Sequence, residues 1–229
     1  MNIGIIGAGH IGGTLARRLT ALGHTVFIAN SRGPASLAAL ARETGARAVT
    51  VEEAARSGEV VIVTIPEKAI PALPRDLFEG VPDEVVVVDT GNYYPQQRDG
   101  RIDAIEQGTP ESRWVANTLR RPVVKAFNNI YAQHLLERGK PKGAPGRFAL
   151  PVAGDDRRAK DVVIRLIDEL GFDGVDAGTL DESWRQQPGT AVYATDLDAG
   201  AMRKALAEAK PERPADFRAT KGSPARSGR

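Results

Sequence analysis

Short apolar, β-branched runs recur along the chain, separated by stretches in which apolar residues fall three or four positions apart. Residues 3–6, 25–29, 47–49, 60–65, 85–89 and 123–127 are such runs, each bounded by glycine, proline or polar residues. Apolar runs without alternation are the pattern of strands covered on both faces, as in a parallel sheet. Between the first two runs, Ile11, Leu15, Leu19 and Leu22 lie at spacings of four, four and three, which puts them on one face of a helix ending at Gly23. A second helix fits residues 34–44, with Pro34 in its first turn and Gly45 at its end. Parallel neighbours need crossovers, and helices supply them. The alternation therefore predicts an α/β fold, a Rossmann doubly wound parallel sheet.

The pattern weakens from 93 to 111, which reads as polar loop with one short helix, and the run from Lys140 to Gly146 is a second irregular connection. Beyond it come a strand at 148–153, a helix at 157–170 and a strand at 172–176, then helical stretches at 180–187 and 201–209. The predicted organisation is a main domain over 1–146 and a small C-terminal α/β extension, 147–209, packed on it. Residues 210–229 are rich in proline, serine and glycine and hold six basic residues against two acidic ones, a net +4 that leaves −2 for the rest. That composition reads as a solvated, disordered basic tail.

Composition removes several function classes. With 41% hydrophobic and 26% charged residues in 229, the chain can bury a sizeable core. It has no cysteine, so disulfides, thiolate metal sites and thiol nucleophiles are excluded. The three histidines and the scattered carboxylates show no metal-ligand spacing, so no metal is expected. A nearly neutral body lacks the basic footprint of a nucleic-acid binder. No apolar run approaches the ~20 residues of a membrane span. Met1-Asn2-Ile3-Gly4 leads straight into a strand without a signal-peptide pattern, and a cytoplasmic protein is expected.

The chemistry concentrates in the first turn. Gly7-Ala8-Gly9-His10-Ile11-Gly12 matches G-x-G-x-x-G between a strand and an amphipathic helix. Gly7 permits the tight turn, Gly9 lets the backbone approach a pyrophosphate and Gly12 lets the helix pack against the strand. Backbone N–H groups of residues such as His10 and Ile11, at the helix N-terminus, then face the anion. A carboxylate after the second strand would bind a ribose 2′-hydroxyl. This chain instead has Asn30-Ser31-Arg32-Gly33 and no carboxylate until Glu43. Hydroxyl and guanidinium suit a 2′-phosphate, so NADP(H) is preferred to NAD(H). Ligands of open parallel sheets bind at the carboxyl ends of the strands. There, Thr64, Ile65, Pro66 and Asn92 are placed to line the dinucleotide. Asn128 and Asn129 either lie near the nicotinamide, with Asn128 the catalytic positioning candidate, or cap a helix over 130–136.

Dedicated acid–base residues are missing. None of Tyr93, Tyr94, Tyr131 and Tyr193 has a lysine four residues later, and neither does Asn128 or Asn129. Lys125, inside an apolar run, reads as a strand-edge lysine with its head in water, or as a buried functional amine. His10, His24 and His134 read as surface residues. Hydride exchange with a second redox cofactor makes little demand on a dedicated acid, so the gap favours a small-molecule redox partner of that kind.

Taken together, residues 3–12, the Asn30-Ser31-Arg32 step, residues 60–66, Val124-Lys-Ala-Phe-Asn128, Val152-Ala-Gly-Asp-Asp156 and Asp176-Ala-Gly178 resemble the coenzyme F420-dependent NADP oxidoreductase family. The same domain occurs in the cytoplasmic part of STEAP-type metalloreductases. The resemblance covers roughly residues 1–180. It implies a homodimer that transfers a hydride between NADP and a deazaflavin, coenzyme F420; a flavin is the alternative redox partner. It also implies that Ser31 and Arg32 hold the 2′-phosphate and that the turn at 128–132 lies beside the nicotinamide. The chain departs from the family after Gly178, where a hydrophobic helix is usual and residues 179–189 are polar and broken by Pro188-Gly189. Trp184, Arg185 and Gln186 there either line a pocket for another substrate or form a surface helix with Trp184 packed beneath. Two rival readings follow: NADPH-dependent reduction of a small imine or carbonyl compound, with water or Lys125 as proton source, and a non-catalytic NADPH-binding redox sensor.

Overall fold

The computed structural model describes residues 1–224. Six strands, β1 (Asn2–Ile6), β2 (Thr25–Ala29), β3 (Arg47–Ala48), β4 (Val60–Val63), β5 (Val86–Asp89) and β6 (Val124–Lys125), form one sheet. Its order is β3-β2-β1-β4-β5-β6, and every pairing is parallel. This is a Rossmann sheet whose order reverses between β1 and β4. The predicted strands are all present, several of them shorter than read.

Alternate residues of each strand feed two cores, one on each face. Ile3, Ile5, Ile62 and Val88 join Leu15 and Leu19 of α1 (His10–Ala21) and Val163 and Ile167 of α7 (Arg157–Glu169). Ile6, Val61, Val63 and Val87 join Ala54 and Ala55 of α3 (Val51–Ser57) and Val115 of α5 (Glu111–Leu119). Burial on both faces is why these strands read as unbroken apolar runs.

Some helices differ from the sequence reading. Residues 34–44 divide into a 3-10 turn, Pro34–Leu37, and α2 (Ala38–Thr44), which ends at Gly45 in the left-handed region with φ 78°. The helix α3 went unpredicted, although Thr50 and Glu53 form a reciprocal capping box at its start. The polar stretch after Tyr93 holds a π turn, Pro95–Asp99, and the short α4 (Asp103–Glu106) before α5. Helix α6 runs from Ala132 to Glu137 with Tyr131 at its N-cap, so Asn128 and Asn129 do not cap it.

In the C-terminal part, β7 (Ala149–Val152) and β8 (Asp173–Asp176) pair in parallel, with α7 as crossover and α8 (Ala199–Glu208) packed against both. An antiparallel bridge between Ala153 and Lys125 ties this pair to β6.

The segment after α8, read from composition as a solvated tail, is exposed or half-buried over 210–224 and makes specific bonds to the body. Arg213 donates to Glu111 and to the Gln187 side chain, both at 2.8 Å. The Gln96 amide donates to the carbonyls of Ala215 and Arg218, and the Ala219 N–H donates to Glu106. One basic residue of the segment has a buried carboxylate to pair with, which composition cannot reveal. Residues 225–229, also assigned to that tail, lie outside the described residues. No helix among the described residues is long and apolar enough to cross a membrane.

Candidate functional site

The turn between β1 and α1 sits where the strand order reverses, against the end of β4. Gly7 has φ 116°, and a Cβ on it would lie 2.3 Å from the Thr64 carbonyl oxygen. A Cβ on Gly12 would lie 2.0 Å from the Gly7 carbonyl oxygen. Both glycines are required by the protein's own packing. Gly9 is different: it caps α1 with φ −76°, and a Cβ there would meet nothing within 4 Å. The first residue of this helix to make an internal bond is Gly13, whose N–H donates to Gly9. The N–H groups of His10, Ile11 and Gly12 therefore remain for an anion. This open cradle fits a dinucleotide pyrophosphate. Thr64, Ile65 and Pro66, half-buried, form its side at the end of β4.

Asn30 builds the next turn, its Oδ1 accepting the Arg32 N–H at 2.9 Å while its Nδ2 donates to the Ser36 hydroxyl at 2.9 Å. Ser31 and Arg32 are left exposed, and Arg32 has no ion pair among the described residues. Hydroxyl and guanidinium stand free at the position that reads the ribose in this fold.

Asn92 and Asn128 are brought together. The Asn128 amide donates to Asn92 Oδ1 at 3.0 Å and to the Gln186 carbonyl at 2.7 Å, and its Oδ1 accepts from Gln186 Nε2 at 3.0 Å. Asn92 Nδ2 returns a bond to the Asn128 carbonyl at 2.9 Å. Only 4% exposed, Asn128 has no amide atom to offer a substrate. It acts on the site by fixing the ends of β5 and β6 to residues 180–186. Asn129 is wholly buried with both amide atoms unpartnered, and its carbonyl accepts the Ala194 N–H.

Lys125 is not a strand-edge residue with its head in water. It is fully buried, and its ammonium donates to the Gly91 carbonyl at 2.6 Å and to Asp89 at 3.3 Å, with Glu111 4.0 Å away. Burial alone would lower its pKa, but Asp89, Glu111 and Glu67 outweigh that and raise it, so the amine stays charged. Asp89 also accepts from Ser112 at 2.6 Å and from the Gly91 N–H at 2.8 Å. Burial pushes the Glu111 carboxyl up, against the pull of Arg213 and Lys125.

Trp184, Arg185 and Gln186 do not share one pocket. They lie in a 3-10 segment, Leu180–Gln186, in which Arg185 sits over the Trp184 ring at 5.6 Å and Gln186 turns inward to Asn128. Trp184 lines a cavity of about 370 Å³ together with Gln187, Arg213 and Pro214. His24 bonds Glu169 and His134 bonds Asp196, while His10 is exposed in the first turn of α1.

Comparison with known proteins places this geometry. A Sinorhizobium meliloti protein of unassigned function, SMa0349, superposes with a TM-score of 0.72 at 34% identity, over 86% of this chain and 95% of that one. Residues 2–93 match the family model for NADP oxidoreductases that are coenzyme F420-dependent. The chain belongs to this family. The Escherichia coli protein YjhV is 41% identical over 91 residues, which span 40% of this chain and 59% of that protein. A candidate F420-dependent NADP reductase from Arthrobacter sp. FB24 shares the fold, with a TM-score of 0.64 and 23% identity over 79% of this chain and 86% of its own.

The matched residues contain the glycine turn, the Asn30–Arg32 step, Thr64–Pro66 and Asn92. Asn128, Lys125, Glu111, Gln186 and Arg213 lie beyond them. Sequence reasoning missed Glu67, Asp89, Glu111 and Arg213 as site residues. One signal was available for Lys125 and Asp89: each is a charged residue in an apolar strand run, Asp89 at the end of 85–89 and Lys125 within 123–127, and they are register partners on adjacent strands.

Proposed function

We propose that this NADP oxidoreductase transfers a hydride between NADPH and a second redox cofactor, the deazaflavin coenzyme F420 or a flavin. The observation that carries this reading is the open cradle at Gly9 beside exposed Ser31 and Arg32, in a chain whose residues 2–93 match the family. The α1 N-terminus would hold the pyrophosphate, Ser31 and Arg32 the 2′-phosphate, and Thr64, Ile65 and Pro66 would flank the nucleotide. Asn92, bonded to Asn128, would form the wall at the nicotinamide end. Bound NADPH supplies the hydride. The protein supplies proximity and orientation, worth several kcal/mol of a barrier when reacting atoms are held in place.

The test is to mix the protein with NADPH and oxidised coenzyme F420 and to follow loss of deazaflavin absorbance, with NADH and free flavin in parallel. NADPH-dependent bleaching faster than that with NADH supports the reading. NADPH binding without bleaching of either acceptor rejects it. The second reading, reduction of a small imine or carbonyl compound, is favoured by the cavity beside Trp184, which is of substrate size.

A further inference from the structure

Glu67 follows Pro66 at the end of β4 and opens a 3-10 turn, Glu67–Ala72. Its side chain is fully buried, and neither carboxyl oxygen has a hydrogen-bond partner among the described residues. A Cβ on Gly91 would lie 2.4 Å from Glu67 Oε1, so the carboxyl presses against the backbone just after β5, one residue from Asn92. It therefore sits behind the two strand ends that flank the nicotinamide end of the proposed site.

Three other carboxylates surround it, each from a different element. Asp89 of β5 has Lys125 of β6 at 3.3 Å, Glu111 of α5 has Arg213 at 2.8 Å, and Asp99 of the π turn has Arg98 at 2.9 Å. The cluster thus holds four carboxyl groups and three cations, and Glu67 is the member without a cation of its own. An unpaired buried charge is costly enough that such a group takes up a proton instead.

We propose that Glu67 is kept as a neutral carboxylic acid and is the proton store of the hydride-transfer site. The inference rests on the functional reading above. Reduction of a deazaflavin or flavin needs a hydride and a proton. The hydride, with two electrons, leaves NADPH and forms a C–H or N–H bond on the acceptor ring. The accompanying proton goes to an acceptor ring nitrogen when the Glu67 O–H breaks; because the carboxyl is fully buried, a water entering at the strand ends would relay it. The carboxylate left behind faces Lys125 until bulk solvent returns a proton. Glu67 does not itself touch a bound group, so it is a positioning residue that acts through that water. Burial, and then Asp89 beside it, holds the carboxyl well above the usual carboxylate range, with Lys125 opposing.

Glu67→Gln keeps the shape and the neutrality and removes the proton, which separates a store from inert core. Infrared difference spectra of wild type minus E67Q, taken without cofactor at neutral pH, should show a protonated-carboxyl carbonyl band that fades on alkaline titration. E67Q should bind NADPH with an unchanged Kd and keep KM for the acceptor. Its kcat should fall on the order of a hundredfold, the scale of a lost proton transfer, and the alkaline limb of the pH profile should disappear. A missing band, or an E67Q protein with wild-type kcat and pH profile, overturns the proposal. A wild type without turnover of either acceptor overturns the functional reading and, with it, the use of the proton. In that case the band still decides whether Glu67 is neutral, so the two failures are distinguishable.

Discussion

The Lys125 ammonium donates to the carbonyl of Gly91 at 2.6 Å, across the carboxyl ends of β6 and β5. The bond joins a buried charge to the backbone that leads into Asn92, and so ties the cluster beneath the site to the wall of the site. Lys125→Met removes the cation and leaves Asp89 and Glu111 short of a partner. Loss of one partner from a buried ion pair costs about 3–5 kcal/mol. Urea unfolding should show that loss. A change below about 1 kcal/mol would mean that the pair adds nothing net.

Gly9 and Gly12 should respond in opposite ways to the same added methyl group. Gly9→Ala meets no neighbour and has an ordinary φ, so stability should change by no more than about 0.5 kcal/mol. NADPH affinity should fall roughly tenfold, because the methyl stands where the pyrophosphate approaches the backbone. Gly12→Ala drives its Cβ into the Gly7 carbonyl and should cost about 1–3 kcal/mol of stability. Thermal melts and an NADPH titration of both variants check the contrast.

Arg32→Glu puts a carboxylate beside the exposed Ser31. It should raise the Kd for NADPH by roughly a hundredfold, through loss of a charge-assisted pair and gain of repulsion, and leave that for NADH nearly unchanged. An unchanged NADPH-to-NADH ratio, read by fluorescence titration, would remove Arg32 from the 2′-phosphate site.

Arg213 ties the C-terminal strap to Glu111, which is wholly buried. Arg213→Ala should lower stability by about 1–3 kcal/mol, because a buried acceptor loses its donor. Removal of residues 210–229 should lower it at least as much. Calorimetry on the truncated chain decides the matter, since wild-type stability would show that the segment contributes nothing.

Asp176 supplies an acid-side dependence. Burial raises its pKa, but the Lys160 ammonium at 2.7 Å and the Gly178 N–H at 2.9 Å outweigh that, and the carboxyl lies below its ordinary value of 3.8. A group depressed by folding contributes stability that is fully present above the unfolded value and is lost as pH falls through the folded one. Asp176→Asn should therefore lower stability at neutral pH and remove this part of the acid-side loss, so that variant and wild type converge as pH falls below 3.8. An acid curve that matches wild type would show the pair to be neutral in energy.

Much of the fold was legible in the chain because it depends on near neighbours. A strand covered on both faces must be apolar along its covered length: β4 is apolar throughout, and β1, β2 and β5 carry a polar residue only at one end. The tight turn at Gly7 and the close packing at Gly12 leave no room for a Cβ, so the glycine spacing marked the dinucleotide turn before any coordinates. Helices α3 and α5 escaped notice because seven and nine residues give too short a periodic pattern beside loop-like flanks.

The chemistry behind that turn depended on tertiary structure. Lys125 and Gly91 are 34 residues apart, and Arg213 and Glu111 are 102 apart. Whether a lysine inside an apolar run meets water or an aspartate is set by what the sheet places beside it. The same holds for Asn128, whose amide is consumed by Asn92 and Gln186, and for a basic segment that found a buried carboxylate. Glycine sterics and apolar periodicity act over a few residues, and the sequence alone determined what they control: the strands, the first helix and the anion cradle. The protonation and availability of buried polar groups follow from desolvation and from charges brought in by distant segments, and only the folded chain decided those.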